Sequence, residues 1–194
     1  MSDMFCKRFG SILEEDAQVI EATLSELVPR GKIKWLEIGM FAGGTGRGVR
    51  DYCEARGVAF EYWGIDAGYI TEPVVPFPGA VVIKGRSEEV FPRVPDGFDG
   101  IFIDGCHCRN HVILDTLNYA PKVNPGGFLL FHDAGPSAQG KDKQPCGPDI
   151  PEFAISTLAA FEVMGWPRPG WNLFMEKYRE GAPLGGVRSY RRSI

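Results

Sequence analysis

The segment Trp35-Leu36-Glu37-Ile38-Gly39-Met40-Phe41-Ala42-Gly43-Gly44-Thr45 constrains the fold more than any other stretch of the chain. Trp35, Leu36 and Ile38 surround a lone carboxylate, and glycines follow at 39, 43 and 44. That is the pattern of a buried strand that stops on an acid and enters a glycine-rich turn. Glycine lets backbone pass close to a ligand and accepts positive φ. A helix that starts after such a turn aims its free N–H groups at whatever lies there. The spacing narrows the ligand. A dinucleotide fingerprint requires G-x-G-x-x-G, whereas Phe41 stands at its second glycine and the pattern is E-x-G-x-x-x-G. A carboxylate in the turn repels a pyrophosphate and suits a ligand that carries an ammonium group.

Strand and helix patterns alternate through the rest of the chain. Ile12, Leu13, Val19, Ile20, Leu24, Leu27 and Val28 form an apolar face that predicts a helix over 11–28, stopped by Pro29-Arg30-Gly31. Strands are expected at 33–38, 60–65, 80–84, 98–103 and 127–132, with helices at 45–56, 87–91 and 108–120 between them. Asn124-Pro125-Gly126-Gly127 reads as a turn before the fifth strand. Residues 134–151 are polar and rich in proline and glycine, which suits a lid loop over a substrate. A helix at 152–163, a Pro/Gly turn at 166–170 and a strand at 171–178 follow, and the last stretch suits an edge strand. Alternation with short links predicts an α/β, Rossmann-like, doubly wound and mostly parallel sheet. One domain over 1–194, with a helical extension at 1–31, is the simplest division. Such sheets bind ligands beyond the carboxyl ends of their strands, where Glu37, Asp66, Asp104 and Asp133 fall.

Composition excludes several classes. A net charge of −4 argues against broad nucleic-acid binding, and the arginines at 188, 191 and 192 read as a solvated end. No apolar run approaches the ~20 residues of a membrane helix, and the first residues lack the shape of a signal peptide. A cytoplasmic protein with no membrane partner is expected. Five cysteines, an odd count, argue against a disulfide framework. Cys106-His107-Cys108 leaves too few residues between its cysteines for a zinc pair.

Four segments combine into a larger signal: Glu37 to Thr45, Gly64-Ile65-Asp66, Phe102-Ile103-Asp104-Gly105-Cys106-His107, and Pro125 to Asp133. Each closes a predicted strand. In this order they resemble the class I S-adenosylmethionine-dependent methyltransferases, most closely the small-molecule branch with sugar and macrolide O-methyltransferases. The resemblance covers residues 33 to 135 and implies a sheet of about seven strands, closed by an antiparallel pair. It implies S-adenosylmethionine as cofactor, in a site formed by Glu37, Gly39, Phe41, Gly43, Asp66, Ala67, Arg86, Ser87 and Asp104. Asp66 would take both ribose hydroxyls, unless it is a helix cap. The loop of Arg86 and Ser87 would pass the adenine, with Ser87 also able to cap a helix.

All three histidines, His107, His111 and His132, lie in or beside the segments that end at Asp104 and Asp133. In metal-dependent members of the resembled family, carboxylates at these two strand ends hold magnesium against substrate hydroxyls. This chain departs from that pattern, because its last parallel strand ends His132-Asp133. Asp104, His132 and Asp133 form a candidate divalent-metal set that suits a softer ion than magnesium. Without metal, His107 or His132 is the candidate general base, beside Asp133; a third reading makes the cluster structural. Trp166 and Trp171 are candidates to line a substrate pocket. The expected activity is methyl transfer to an oxygen, or failing that a nitrogen, of a small molecule, with a small acceptor or a homodimer that completes the pocket. The alternatives are a nucleotide-cofactor oxidoreductase and a non-catalytic S-adenosylmethionine-binding module.

Overall fold

The computed structural model describes residues 12–68, 73–140, 143–144, 153–180, 182 and 185–194. Helix α1 (Glu14–Leu27) leads into β1 (Lys32–Ile38), α2 (Gly44–Glu54), β2 (Ala59–Asp66) and β3 (Val81–Lys84). A single turn, α3 (Ser87–Val90), precedes β4 (Phe98–Ile103), α4 (Arg109–Tyr119) and β5 (Val123–Phe131). Short strands β6 (Lys143–Gln144) and β7 (Phe153–Ala154), helix α5 (Thr157–Met164), β8 (Trp171–Lys177) and β9 (Val187–Arg192) complete the described chain.

The sheet has seven strands in the order β3-β2-β1-β4-β5-β9-β8. The first five are parallel, β9 runs antiparallel to β5, and β8 runs antiparallel to β9. The mostly parallel, doubly wound fold is therefore as expected. Its two faces are built by strand alternation. Ile33, Trp35, Phe102, Phe128 and Leu130 pack with Val19, Ile20, Leu24 and Leu27 of α1 on one face. Leu36, Ile38, Ile101, Ile103, Leu129 and Phe131 pack on the other, with Val112 of α4 and Phe161 of α5. The fully buried leucines and isoleucines of α1 each contribute about 1.5–3 kcal/mol of transfer free energy, so α1 is part of the core.

Several boundaries differ from the sequence reading. β5 begins at Val123, because the expected turn at 124–127 is absorbed as a bulge: Phe98 pairs with Val123, and Gly100 pairs next with Phe128. Gly126 takes a φ of 69° there. The helix expected at 152–163 starts only at Thr157, since Phe153 and Ala154 pair with Gln144 and Lys143. The final strand is interior and β8 is the edge. The basic tail is likewise part of the sheet, with Arg188 3.0 Å from Glu176 and Arg191 3.3 Å from Glu26. The candidate lid lies partly outside the described residues. Its first part is packed: Ala134 and Ala138 are fully buried, and Gln139 donates to the carbonyls of Asp133 and Gly135. Cys106 is disulfide-bonded; an odd cysteine count does not forbid a single bridge. Among the described residues, no helix is long and apolar enough to cross a membrane.

Candidate active site

Strand parity assembles the site. Trp35, Tyr62, Phe102 and Leu130 share the α1 face, and side chains two residues on share it too. The parity runs on through Glu37 on β1 and from Tyr62 to Asp66 on β2. Just past β4 and β5, Asp104 and His132 continue it. Four polar groups thus leave the carboxyl end of the parallel sheet on one side.

The glycine turn sits above β1. Gly39 has a φ of 83°, and a Cβ there would lie 2.2 Å from the Asp104 carbonyl oxygen. No side chain fits between the two strand ends. Gly43, φ 71°, is equally closed by Pro76, and it caps α2. Phe41 adopts a φ of 47°, a left-handed conformation costly for a bulky side chain, and its ring is 49% exposed. Its N–H donates to Asp66 Oδ2 at 2.8 Å, while Asp66 Oδ1 accepts the Gly68 N–H at 2.7 Å. Asp66 therefore ties the turn to the end of β2, with the partly exposed Ala67 beside it.

Glu37 lies beneath the turn rather than at a solvated strand end. It is 1% exposed, and its Oε2 accepts the Tyr62 hydroxyl at 2.5 Å. Burial pushes its carboxyl up to about 8, moderated by hydrogen bonds from Tyr62, the Thr45 side chain and the Gly46 N–H. Its oxygens hold the first turn of α2. Ser87 is also committed within the protein: its hydroxyl donates to Asp115 Oδ1 at 2.5 Å, and its carbonyl accepts Tyr119. Burial raises the Asp115 carboxyl to about 7. Arg86 pairs with Glu88 at 2.5 Å and lies 3.2 Å from His111 Nε2.

The β4 and β5 ends carry the densest chemistry. Asp104 Oδ1 is 2.9 Å from His132 Nδ1 and 3.4 Å from His107 Nε2. His107 Nδ1 faces Asp133 Oδ2 at 2.9 Å. His132 Nε2 bonds Asp16 Oδ2 at 3.3 Å. Asp16, from α1, is fully buried and also accepts the N–H groups of Leu13 and Gly186. Asp133 has a φ of 49°, and its Oδ1 accepts the Gly185 N–H at 2.6 Å. The Ser156 N–H donates to the His107 carbonyl, which docks the start of α5 on this loop. Burial opposes charge on His107, yet the flanking carboxylates of Asp104 and Asp133 lift its pKa to about 9. His132 is likewise raised well above its usual value, against burial, chiefly by Asp104. Burial alone would raise the carboxyls of Asp104 and Asp133, and the two imidazoles hold both below the usual range.

The residues whose ligand atoms converge are Asp104, His107 and His132, all within 4.8 Å of one another. The converging set differs from the one drawn from sequence: His107 joins Asp104 and His132, while Asp133 Oδ1 lies 3.6 Å from His132 Nδ1 and accepts the Gly185 N–H. His107 Nε2 and His132 Nδ1 are buried and make no aligned hydrogen bond. The donor set thus fits a divalent ion. Cys106, Cys108 and His111 also converge, but Cys106 is in a disulfide and offers no thiolate. Trp166 and Trp171 pack on each other, 5.3 Å apart, and on the Phe131 side of the sheet. They belong to the core opposite Asp104, so the expected pocket role finds no geometric support. Asp16, Gly185 and Gly186 escaped the sequence reading. Asp16 looked like an ordinary first-turn acid beside Glu14 and Glu15, and only its contact with a residue 116 positions away sets it apart.

The fold has solved counterparts. MycE methyltransferase from the mycinamycin biosynthetic pathway, in complex with Mg and SAH, superposes with a TM-score of 0.63 at 17% identity. The match covers 99% of this chain and 53% of that one, so this chain spans about half the length of MycE. An O-methyltransferase from Bacillus cereus in complex with SAH gives a TM-score of 0.59 at 12% identity, covering 98% of this chain and 96% of that one. No curated protein sequence matches the chain. The profile of the methyltransferase domain, in contrast, matches residues 36–134. That span is just over half of the chain and runs from β1 to the residue after Asp133, so it takes in every strand end that builds the site. The chain belongs to this family, that of the class I S-adenosylmethionine-dependent methyltransferases.

Proposed function

We propose that the chain transfers the methyl group of S-adenosylmethionine to an oxygen of a small molecule held over the β4 and β5 ends. One observation carries the reading: a strained glycine turn tied to Asp66 stands on the same sheet edge as the Asp104–His107–His132 cluster. The first part suits a nucleoside without phosphate; the second suits a hydroxyl that must lose a proton. MycE, which shares the fold, has been solved with Mg, SAH and mycinamycin VI together, which supports a small acceptor.

The sulfonium is already a strong electrophile, so the protein has mainly to align the acceptor for in-line displacement and help remove its proton. Asp66 uses one lone pair on each oxygen for Phe41 and Gly68, and a carboxylate keeps about two more for ribose hydroxyls. Glu37 acts on the cofactor indirectly, by fixing the turn and the start of α2. A divalent ion at Asp104, His107 and His132 would lower the pKa of an acceptor hydroxyl and orient it. Without an ion, His107 or His132 would serve as the base, each oriented by the carboxylates that face it. Phe41, exposed on the turn, would cover the cofactor.

Calorimetry with S-adenosylhomocysteine and with NAD tests the cofactor. Binding of the first at micromolar order and none of the second is expected. Asp66→Ala should weaken that binding by about 1.5–3 kcal/mol, the range for hydrogen bonds to a charged group. Unchanged affinity in the variant removes Asp66 from the site. Incubation with methyl-labelled S-adenosylmethionine and a panel of polyhydroxylated acceptors tests the transfer. Label found only on nitrogen, or on no acceptor, overturns it.

A further inference from the structure

We infer that Asp104, His107 and His132 form a site selective for a borderline transition ion, of the Mn²⁺ to Zn²⁺ series, over Mg²⁺, with Asp16 and Asp133 as the carboxylates that orient its two imidazoles. The inference deepens the methyl-transfer reading of this cleft, but its evidence is separate.

The inner atoms are spaced as ligands are. Asp104 Oδ1 stands 2.9 Å from His132 Nδ1 and 3.4 Å from His107 Nε2. Donors about 2.0–2.2 Å from one ion lie roughly 3.0–3.5 Å apart. Both inner nitrogens are buried and lack an aligned hydrogen bond, and His107 is only 4% exposed. Each outer nitrogen faces a carboxylate, His132 Nε2 toward Asp16 and His107 Nδ1 toward Asp133. Carboxylates behind ligating imidazoles fix ring orientation and raise ligand basicity. The Asp104 side chain is 21% exposed, which leaves one side of the cluster open to solvent and to an acceptor.

The donor types decide the ion. Mg²⁺ prefers oxygen ligands and keeps several waters. Imidazole suits Fe, Zn, Cu and Ni, and affinity rises from Mn²⁺ along the series. Two imidazoles and one carboxylate therefore disfavour magnesium. The carboxylate count points the same way: Asp133 Oδ1, 3.6 Å from His132 Nδ1, is taken up by the Gly185 N–H and Oδ2 faces His107, so Asp104 is the one carboxylate of the converging group.

The test uses the full chain, stripped with chelator and desalted, then titrated calorimetrically with MnCl₂, CoCl₂, ZnCl₂ and MgCl₂ in separate runs. Co²⁺ absorption in the visible range reports imidazole ligation directly. Co²⁺ and Zn²⁺ should bind on the order of 100-fold more tightly than Mg²⁺. His107→Ala and His132→Ala should each abolish the cobalt spectrum. Asp16→Asn should keep the ligands but weaken binding by about 10–100-fold. Circular dichroism checks that each variant folds. Should Asp16→Asn unfold, Asp133→Asn puts the same question to His107. Equal or tighter binding of Mg²⁺ overturns the inference, as does no saturable uptake of any ion or a cobalt spectrum unchanged in both histidine variants. S-adenosylhomocysteine affinity is measured on the same samples. Cofactor binding without ion uptake sinks this inference alone, whereas ion uptake without cofactor binding supports it and sinks the methyl-transfer reading.

Discussion

Asp16→Ala should be among the most damaging single substitutions in the chain, although Asp16 lies far in sequence from every strand-end motif. Its side chain is fully buried. Oδ1 accepts the Gly186 N–H at 2.8 Å, and Oδ2 accepts the Leu13 N–H at 3.2 Å and faces His132 Nε2 at 3.3 Å. Alanine leaves the Gly186 N–H and His132 Nε2 without the carboxylate that accepts from them, while His132 Nδ1 keeps Asp104 at 2.9 Å. A hydrogen bond to a charged group is worth about 1.5–3 kcal/mol, and removing one partner of a buried charged pair costs about 3–5 kcal/mol. The contacts share one carboxylate and do not add, so the loss should be about 3–5 kcal/mol. For a chain of this size each kcal/mol moves the melting temperature by about 2–4 °C, which places the drop on the order of 10 °C. Urea unfolding followed by far-UV circular dichroism measures it. Glu15→Ala is the control: Glu15 is the neighbouring acid, its partner Arg179 is exposed, and surface pairs of this kind contribute little. The reasoning fails if Asp16→Ala loses less than about 1 kcal/mol or no more than Glu15→Ala.

Two further outcomes follow from the β1 turn. Glu37 titrates near pH 8 in the folded protein against a reference of 4.5, so the folded state binds more protons between those values. Its contribution to stability is therefore full below about pH 4.5 and is lost as pH rises through 8. Glu37→Gln keeps an acceptor for Tyr62 and should flatten that limb in the difference between the two stability–pH curves; parallel curves would show that Glu37 is ionised at neutral pH. Gly39→Ala combines left-handed strain with a Cβ 2.2 Å from the Asp104 carbonyl oxygen, and should cost about 2–5 kcal/mol and the cofactor affinity. Gly57→Ala, φ 65° with nothing within 4 Å, carries the strain alone and should cost about 1–2 kcal/mol; equal losses at the two positions would deny the close approach at Gly39.

The sequence by itself determined the winding of the sheet and the place of its ligand edge. Alternating periods, and acids followed by glycine, are local signals, and local chemistry is enough to end a strand or start a helix. Hence β4 was found at Phe98–Ile103, and Asp66 and Asp104 were placed at strand ends. Only the tertiary structure decided what those groups touch. Glu37 read as a carboxylate facing a ligand, and the structure buries it on Tyr62, because strand parity turns it under α2. Asp133 looked like a ligand, but its left-handed backbone directs it to Gly185, and His107 enters the triad from the β4–α4 loop. The turn at 124–127 became a bulge because Val123 could still pair with Phe98 across it. Asp16 carried no local mark at all. Its role exists only because α1 packs against the end of β5 and meets the glycines before β9, and contacts over such separations depend on how the elements stack, which no short pattern encodes.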